Sequence, residues 1–267
     1  MDYPSRKHFE PFNSLSNKPK SQNLTISADL HTHTRSSGHA SGTVEEIAKS
    51  AEKKGLKLIA ITDHGSAMAG TYEPSYLKNL SAPPIKIGNV IVLRGIEANV
   101  ISLGASLDVS SRVLTSLEWV IASLHEVVID PVNSKTHTEI YLRLAENPLV
   151  DMIGHPDTPF FECDYERVIR EFGAKDKIVE INNYHAFHFG PRNREICETI
   201  AKLCMKHEVF IAVNSDAHNP HTVGNVEQAI AMLEKMGFPE ELILNANVER
   251  IIMRVRKKHP RYTVEGN

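Results

Sequence analysis

The segment DLHTHTRSSGHASG, residues 29–42, carries His31, His33 and, six residues further on, His39. Residues two apart on a strand share a face, with Cβ atoms roughly 6.5–7 Å apart, so both rings can reach one ion at about 2.0–2.1 Å. His31 and His33 therefore read as a chelating pair. The same spacing recurs in SDAH, at Asp216 and His218. A lone histidine is more often a hydrogen-bonded core or surface residue than a ligand, and it is the recurrence of histidines along the chain that points to metal. His64 follows Asp63 in ITDHG, Glu97 lies in GIEAN, His125 in SLHE and His155 in IGHP. Imidazoles mixed with a few carboxylates suit zinc, iron or manganese, whereas magnesium prefers oxygen donors. The candidate set is His31, His33, His39, His64, Glu97, His125, His155, Asp216 and His218. It exceeds the needs of one ion and implies two or three divalent ions, zinc first, with manganese or iron as alternatives. Neutral rings and two carboxylates leave such a cluster strongly positive, so its natural guest is an anion. A water bound there, its pKa lowered to about 7, supplies a hydroxide able to attack phosphorus. Asp216, Glu97 and His218 are the residues expected to carry that chemistry.

The elements that must position these groups can be read from the apolar pattern. Short β-rich runs at 24–31, 56–62, 89–98, 117–125, 149–155, 177–183 and 209–218 alternate with helical periodicity. That alternation marks βα units around a parallel sheet. Each candidate ligand except His39 falls at the C-terminal end of such a run. In a parallel barrel those ends share one face, where functional groups collect. Asn182 and Asn183 end the sixth run and are expected on the same rim. Thr43 as N-cap, Glu46 at the capping-box position and Gly55 as stop punctuate a helix between the first two strands. Further helices fit 136–147, 164–173, 191–207, 225–237 and 239–258, whereas the Pro- and Gly-rich stretch 66–88 reads as an inserted loop.

With 267 residues, 41% hydrophobic and 24% charged, the chain fits one large α/β domain, residues 24–267. It would follow an N-terminal tail or arm over 1–23, rich in Asn, Ser, Pro and Lys. A net charge of -3 gives no overall basic field, which argues against nucleic acid or an anionic membrane as partner. No run has the ~18 apolar residues of a membrane span, and the N-terminus has no secretory pattern. Cys163, Cys197 and Cys204 lack zinc-ribbon spacing, and the last two, on one helix, lie too far apart to bridge. A reducing, cytoplasmic setting is the expectation. Oligomeric state is not encoded in any pattern found.

The ordered set DLHTHT, ITDHG, GIEAN, ASLHE, IGHP and NSDAH resembles the PHP (polymerase and histidinol phosphatase) family from residue 28 to about 250. It is most similar to stand-alone bacterial phosphatases with three metals. The resemblance implies a distorted (β/α)7 TIM-like barrel. It implies one ion on His31, His33, Glu97 and Asp216, and a second reached by Glu97 with His125 and His155. A third would sit on His39, His64 and His218, which gives His39 a role many relatives lack. The activity implied is metal-dependent hydrolysis of a small phosphorylated molecule. A phosphodiesterase or 3'-5' exonuclease and a non-catalytic metal-binding module are the rival readings.

Other residues weigh less. Asp29 and Asp63 adjoin the histidines and could fix imidazole tautomers, although Asp63 could equally cap the next loop. Arg35 could meet a substrate phosphate. His188 matches a histidine of the relatives, but Phe189, Gly190, Pro191, Arg192 and Asn193 replace their Ser-Arg-x-Gly-Ser stretch. Arg35, His188 and Arg192 are the substrate-binding candidates, with Arg194 as a further one. His8, His137, His207, His221 and His259 receive no function, and Trp119 is read as core.

Overall fold

The structure, a computed structural model, describes residues 23–71 and 85–264. Its centre is a sheet of β1 (Ala28–Thr32), β2 (Leu58–Ile61), β3 (Ile85–Ile87), β4 (Val90–Asn99), β5 (Trp119–Ser123), β6 (Met152–Ile153), β7 (Ile178–Asn182) and β8 (Ile211–Asn214). Seven strands run parallel in the order β1-β2-β4-β5-β6-β7-β8, and β3 pairs antiparallel with β4 at the side. The expected distorted (β/α)7 barrel is what forms. The tail expected over 1–23 lies outside the described residues, apart from its last residue. Residues 66–88 are not all loop, since 85–87 form β3.

Around the sheet run α1 (Val44–Lys53), α2 (Ser111–Ser116), α3 (Ser134–Glu146), α4 (Tyr165–Ala174), α5 (Asn183–His188), α6 (Pro191–Lys206), α7 (Glu227–Lys235) and α8 (Val248–Lys258). The Thr43–Glu46 capping box opens α1 as its spacing predicts, and α1 buries Ile47, Ala48 and Ala51 against the sheet. None of these helices is long and apolar enough to cross a membrane. All three cysteines are free and buried. The short helices α2 and α5 are not visible in the periodicity, because six residues carry less than two turns of pattern.

Parallel strands covered on both faces are mostly apolar, and here the two faces separate into distinct clusters. Leu30, Leu58, Ala60, Leu93, Trp119, Ile121, Met152, Ile178 and Ala212 pack together inside the barrel, closed below by Ile251, Ile252 and Val255 of α8. Ile96, Ala98, Val120, Ala122, Val179, Ile181 and Val213 point outward to the helices. The inward parity continues upward from apolar to polar. Leu93 leads to Glu97, Ile121 to Ser123, Ile178 to Glu180 and Asn182, and Ala212 to Asn214.

The seam between β1 and β8 has only one ladder bridge, Thr32 to Ala217. Side chains replace the missing ladder. Asn214 Oδ1 accepts the Leu30 N–H at 3.0 Å. Asn245 Nδ2 donates to Ala28 O at 2.8 Å and Val213 O at 2.7 Å, while its Oδ1 accepts the Val213 N–H at 3.0 Å. This use of Asn245 corrects the single helix expected over 239–258. Two short 3-10 turns, Glu240–Leu242 and Leu244–Ala246, carry the chain through the seam before Asn247 caps α8.

Candidate metal centre

The upper layer of the barrel gathers the histidines and acids into one place. A register shift between Asp29 and Thr32 interrupts the β1–β2 ladder. Such a bulge re-aims a side chain, and here His31 joins the interior although Leu30 before it also faces inward. His31 Nε2 lies 3.3 Å from Glu97 Oε2 and 3.5 Å from Asp216 Oδ1. His33 Nε2 lies 3.5 Å and 3.2 Å from the same two atoms. The other oxygen of Glu97 meets His155 Nε2 at 2.9 Å and His125 Nε2 at 3.3 Å. Glu97 thus reaches two groups of imidazoles with one carboxylate. His64 Nδ1 comes within 2.7 Å of Glu97 Oε2, and His39 Nε2 within 3.0 Å of His218 Nε2.

These spacings carry chemical meaning. His31 Nε2, His33 Nε2 and Asp216 Oδ1 are buried and make no hydrogen bond. A stranded buried polar atom costs about 1–3 kcal/mol, so three that converge need an explanation. Donors at 2.0–2.1 Å from a shared tetrahedral ion stand about 3.3 Å from one another, which is how these are spaced. Among the described residues four overlapping sets have all donor atoms within 4.8 Å: His31, His33, Asp216; His33, His64, His218; His64, Glu97, His125; and His155, His185, Asp216. The residues fit divalent cations.

What holds the rings in this pose is a series of partners at their far nitrogens. His31 Nδ1 is 2.8 Å from Glu180 Oε1, and His125 Nδ1 is 2.8 Å from Asn99 Oδ1. His218 Nδ1 is 2.9 Å from Asp216 O, and His33 Nδ1 is 2.9 Å from Ser37 Oγ. Ser37 in turn donates to Asp63 at 2.7 Å. Each partner can accept, so each of the four rings, when neutral, keeps its proton on Nδ1 and turns the Nε2 lone pair toward the cluster. Asp63 therefore acts on His33 through Ser37, while also accepting from the backbone and hydroxyl of Thr34. Asp29 touches no imidazole. It accepts from Ser215 Oγ and from the Gly224 N–H at 2.8 Å, and so anchors the strand end before Asp216.

Two of the site's non-glycine residues have positive φ, His155 at 25° and Asp216 at 53°. Such conformations cost on the order of 1–3 kcal/mol and persist where surroundings enforce them. The His155 N–H donates to Glu180 Oε2 at 2.7 Å. Gly154 before it is obligatory, because a Cβ there would lie 2.2 Å from Ser123 Oγ.

Charge follows the same geometry in the metal-free chain. Burial opposes a proton on His31, but Glu180, Asp216 and Glu97 together raise its pKa well above the ordinary value. Burial likewise opposes a charged His155, yet its hydrogen bond to Glu97 and the nearby acids push it up to about 9. Burial, with His218 and His64 as neighbours, keeps His33 well below the usual imidazole range. Burial would raise Glu97 and Asp216, but the surrounding imidazoles hold both well below the carboxylate range. Two carboxylates that stay ionised in a buried, ring-lined space are set for cations.

The cavity above this floor has a volume of about 480 Å³ and is walled by His39, His64, Glu97, His125, His155, Asp216 and His218, among others. His31 and His33 lie directly beneath, so all nine sequence candidates meet. The substrate-binding candidates do not. Arg35, His188 and Arg192 are absent from the described lining. Arg192 is held by Glu162, with Nη2 2.6 Å from Oε2, and by Glu195. His188 stacks on Tyr184 with centroids 4.9 Å apart, at the surface. Asn183, expected on the rim, instead accepts the Ala229 N–H at 2.9 Å beneath α7. Sequence reasoning missed Glu180, Ser37, Asn99 and His185. Glu180 had a signal, an acid in the otherwise apolar run IVEI, residues 178–181. His185 had none, since only the turn of α5 brings its ring flat against His155, 4.1 Å apart at 6°.

A PHP domain model matches residues 29–216. The chain belongs to the PHP family. A relative from Caldicellulosiruptor saccharolyticus, described as a probable phosphatase, is 40% identical over 229 residues, 86% of this chain and 95% of that one. Another of the same description, from Acetivibrio thermocellus, is 38% identical over 87% of this chain and 96% of its own. The crystal structure of histidinol phosphate phosphatase from Lactococcus lactis, complexed with zinc, L-histidinol and phosphate, superposes with a TM-score of 0.57. It is 16% identical and covers 80% of this chain and 95% of the other, a likeness of the PHP barrel fold.

Proposed function

We propose that this PHP protein is a metal-dependent phosphatase that hydrolyses a small phosphorylated molecule in the cavity above the histidine cluster. The observation that carries this reading is the set of buried, unbonded donors around Glu97 and Asp216, spaced for shared cations. Family membership and near full-length relatives described as probable phosphatases support a hydrolase of phosphate esters. In this reading three ions are held, one by His31, His33, Glu97 and Asp216, one by Glu97, His125 and His155, one by His39, His64 and His218. Zinc is the first choice by donor type, with manganese and iron next. When bound, such ions lower the pKa of a water toward 7 and stabilise charge on phosphoryl oxygens.

The protein's own part is positioning. Glu97 fixes the distance between two groups of rings with its two oxygens. Asp216 turns Oδ1 to His31 and His33 while Asn182 Nδ2 holds Oδ2 at 3.2 Å. His218, fixed through the Asp216 carbonyl, presents Nε2 to the same space. A cavity of about 480 Å³ suits a small molecule. The reading does not use Arg35, His188 or Arg192. Purified protein should contain about three equivalents of zinc, manganese or iron and hydrolyse p-nitrophenyl phosphate. Chelation should abolish turnover, and returning the metal should restore it. Asp216→Asn should fold and lose turnover. Fully metal-loaded protein that hydrolyses no phosphomonoester, or that cleaves only labelled single strands, would overturn the reading.

A further inference from the structure

The ionic floor occupies only part of the cavity wall. Beside polar Ser215, Asn219 and Thr222, the rest of the wall carries large apolar side chains, three of them exposed. Tyr184, Phe189, Val127 and Met68 belong to the lining, and Phe189 is 61% exposed, Val127 74% and Tyr184 44%. Large apolar side chains left in water beside a charged site mark a surface that a ligand covers.

The aromatic members are organised. The rings of Tyr184 and Phe189 meet edge to face, 5.4 Å apart at 87°. Phe189 lies 4.8 Å from His185, which stacks on His155. A continuous series of rings therefore climbs from the Glu97 partner His155, through His185, to Phe189 and Tyr184 at the mouth. Among the described residues that line the cavity none is Lys or Arg. The guanidinium of Arg192 on the neighbouring helix is already occupied by two carboxylates. A second negative group on a ligand would find no protein cation here, whereas a flat ring would find aromatic edges and faces.

We propose that Tyr184 and Phe189 form a specificity surface that selects phosphomonoesters whose organic part is an uncharged aromatic ring. The inference rests on the phosphatase reading, with the phosphoryl group over the histidine cluster. It assigns the 184–189 segment to recognition of the remainder of the substrate.

Phosphonates test this without dependence on leaving-group reactivity, because their C–P bond is not a hydrolysable ester. Inhibition of p-nitrophenyl phosphate hydrolysis by phenylphosphonate and by methylphosphonate is compared on the full, metal-loaded chain. The phenyl compound should inhibit about tenfold more tightly, as expected when a ring gains aromatic partners and leaves water. In a double variant, Tyr184→Ser with Phe189→Ser, the ratio should fall to about twofold with metal content unchanged. Both residues are surface-exposed, so the variant should fold, which circular dichroism checks. Equal inhibition by the two phosphonates in an enzyme that does hydrolyse p-nitrophenyl phosphate would sink this inference alone. A ratio that survives the double substitution would sink it as well. Absence of phosphomonoester hydrolysis in metal-loaded protein would remove the phosphatase reading and this inference with it.

Discussion

Glu180 offers the sharpest test of how the centre is built, because its carboxylate sits among four donors and no acceptor. Oε1 faces His31 Nδ1 at 2.8 Å and Asn214 Nδ2 at 2.9 Å. Oε2 faces the His155 N–H at 2.7 Å and Asn182 Nδ2 at 3.2 Å. Glu180→Gln keeps the shape but replaces one acceptor oxygen by an NH2 group that must point at two donors whichever way the amide turns. Turned toward His31, it forces that ring to accept at Nδ1 and move its proton to Nε2, which removes the lone pair offered to the ions. Turned toward His155, it strands a backbone N–H at a residue already held at positive φ. Two charge-assisted hydrogen bonds, each worth ~1.5–3 kcal/mol, are lost, partly offset by no longer burying a charge. The metal-free protein should lose about 3 kcal/mol in urea denaturation. Zinc affinity, measured by competition with a chromophoric chelator, should fall about 10–100-fold. A folded Gln variant with wild-type zinc affinity would refute the argument that Glu180 sets the His31 tautomer.

Two further outcomes follow from groups that are not assigned to any ion. Asn245→Ala removes four hydrogen bonds, one of them a 3.4 Å contact with Asn214 Oδ1, and leaves Ala28 O, Val213 O and the Val213 N–H without that partner in the β1–β8 seam. It should destabilise the protein by about 3–4 kcal/mol, seen as a lower urea midpoint at unchanged slope, and a loss under 1 kcal/mol would count against the seam. Asp157 is buried with neither carboxylate oxygen hydrogen-bonded, and burial pushes its pKa up from 3.8 to about 7. Between those values the native chain keeps a proton that the unfolded chain has released, so stability falls as pH rises through this window. Metal-free wild type should lose about 3 kcal/mol between pH 5 and 8 relative to Asp157→Asn, and parallel pH profiles would disprove it.

Much of the site was legible along the chain because each ligand motif sits where an apolar run ends. In a parallel barrel all such ends share a face, so strand reading alone gathers His31, His64, Glu97, His125, His155 and Asp216. The alternation of apolar runs with helical segments likewise announces the barrel. Boundaries shifted where tertiary partners took over. Asn245 left a helical pattern to mend the seam, and residues 85–87 left a loop to pair with β4.

The amino-acid order determined which side chains of which chemistry stand at the strand ends, because period-two and period-3.6 patterns are local properties. Only the tertiary structure decided which partners fix them. His31 meets Glu180 across 149 residues of chain, and Leu30 meets Asn214 across 184. The bulge that turns His31 inward, the stacking of His185 on His155 and the capture of Arg192 by Glu162 all depend on where closure of the barrel places remote segments. Local pattern says what a residue can do. Packing between distant segments fixes the tautomers, neighbours and open surface with which it does it.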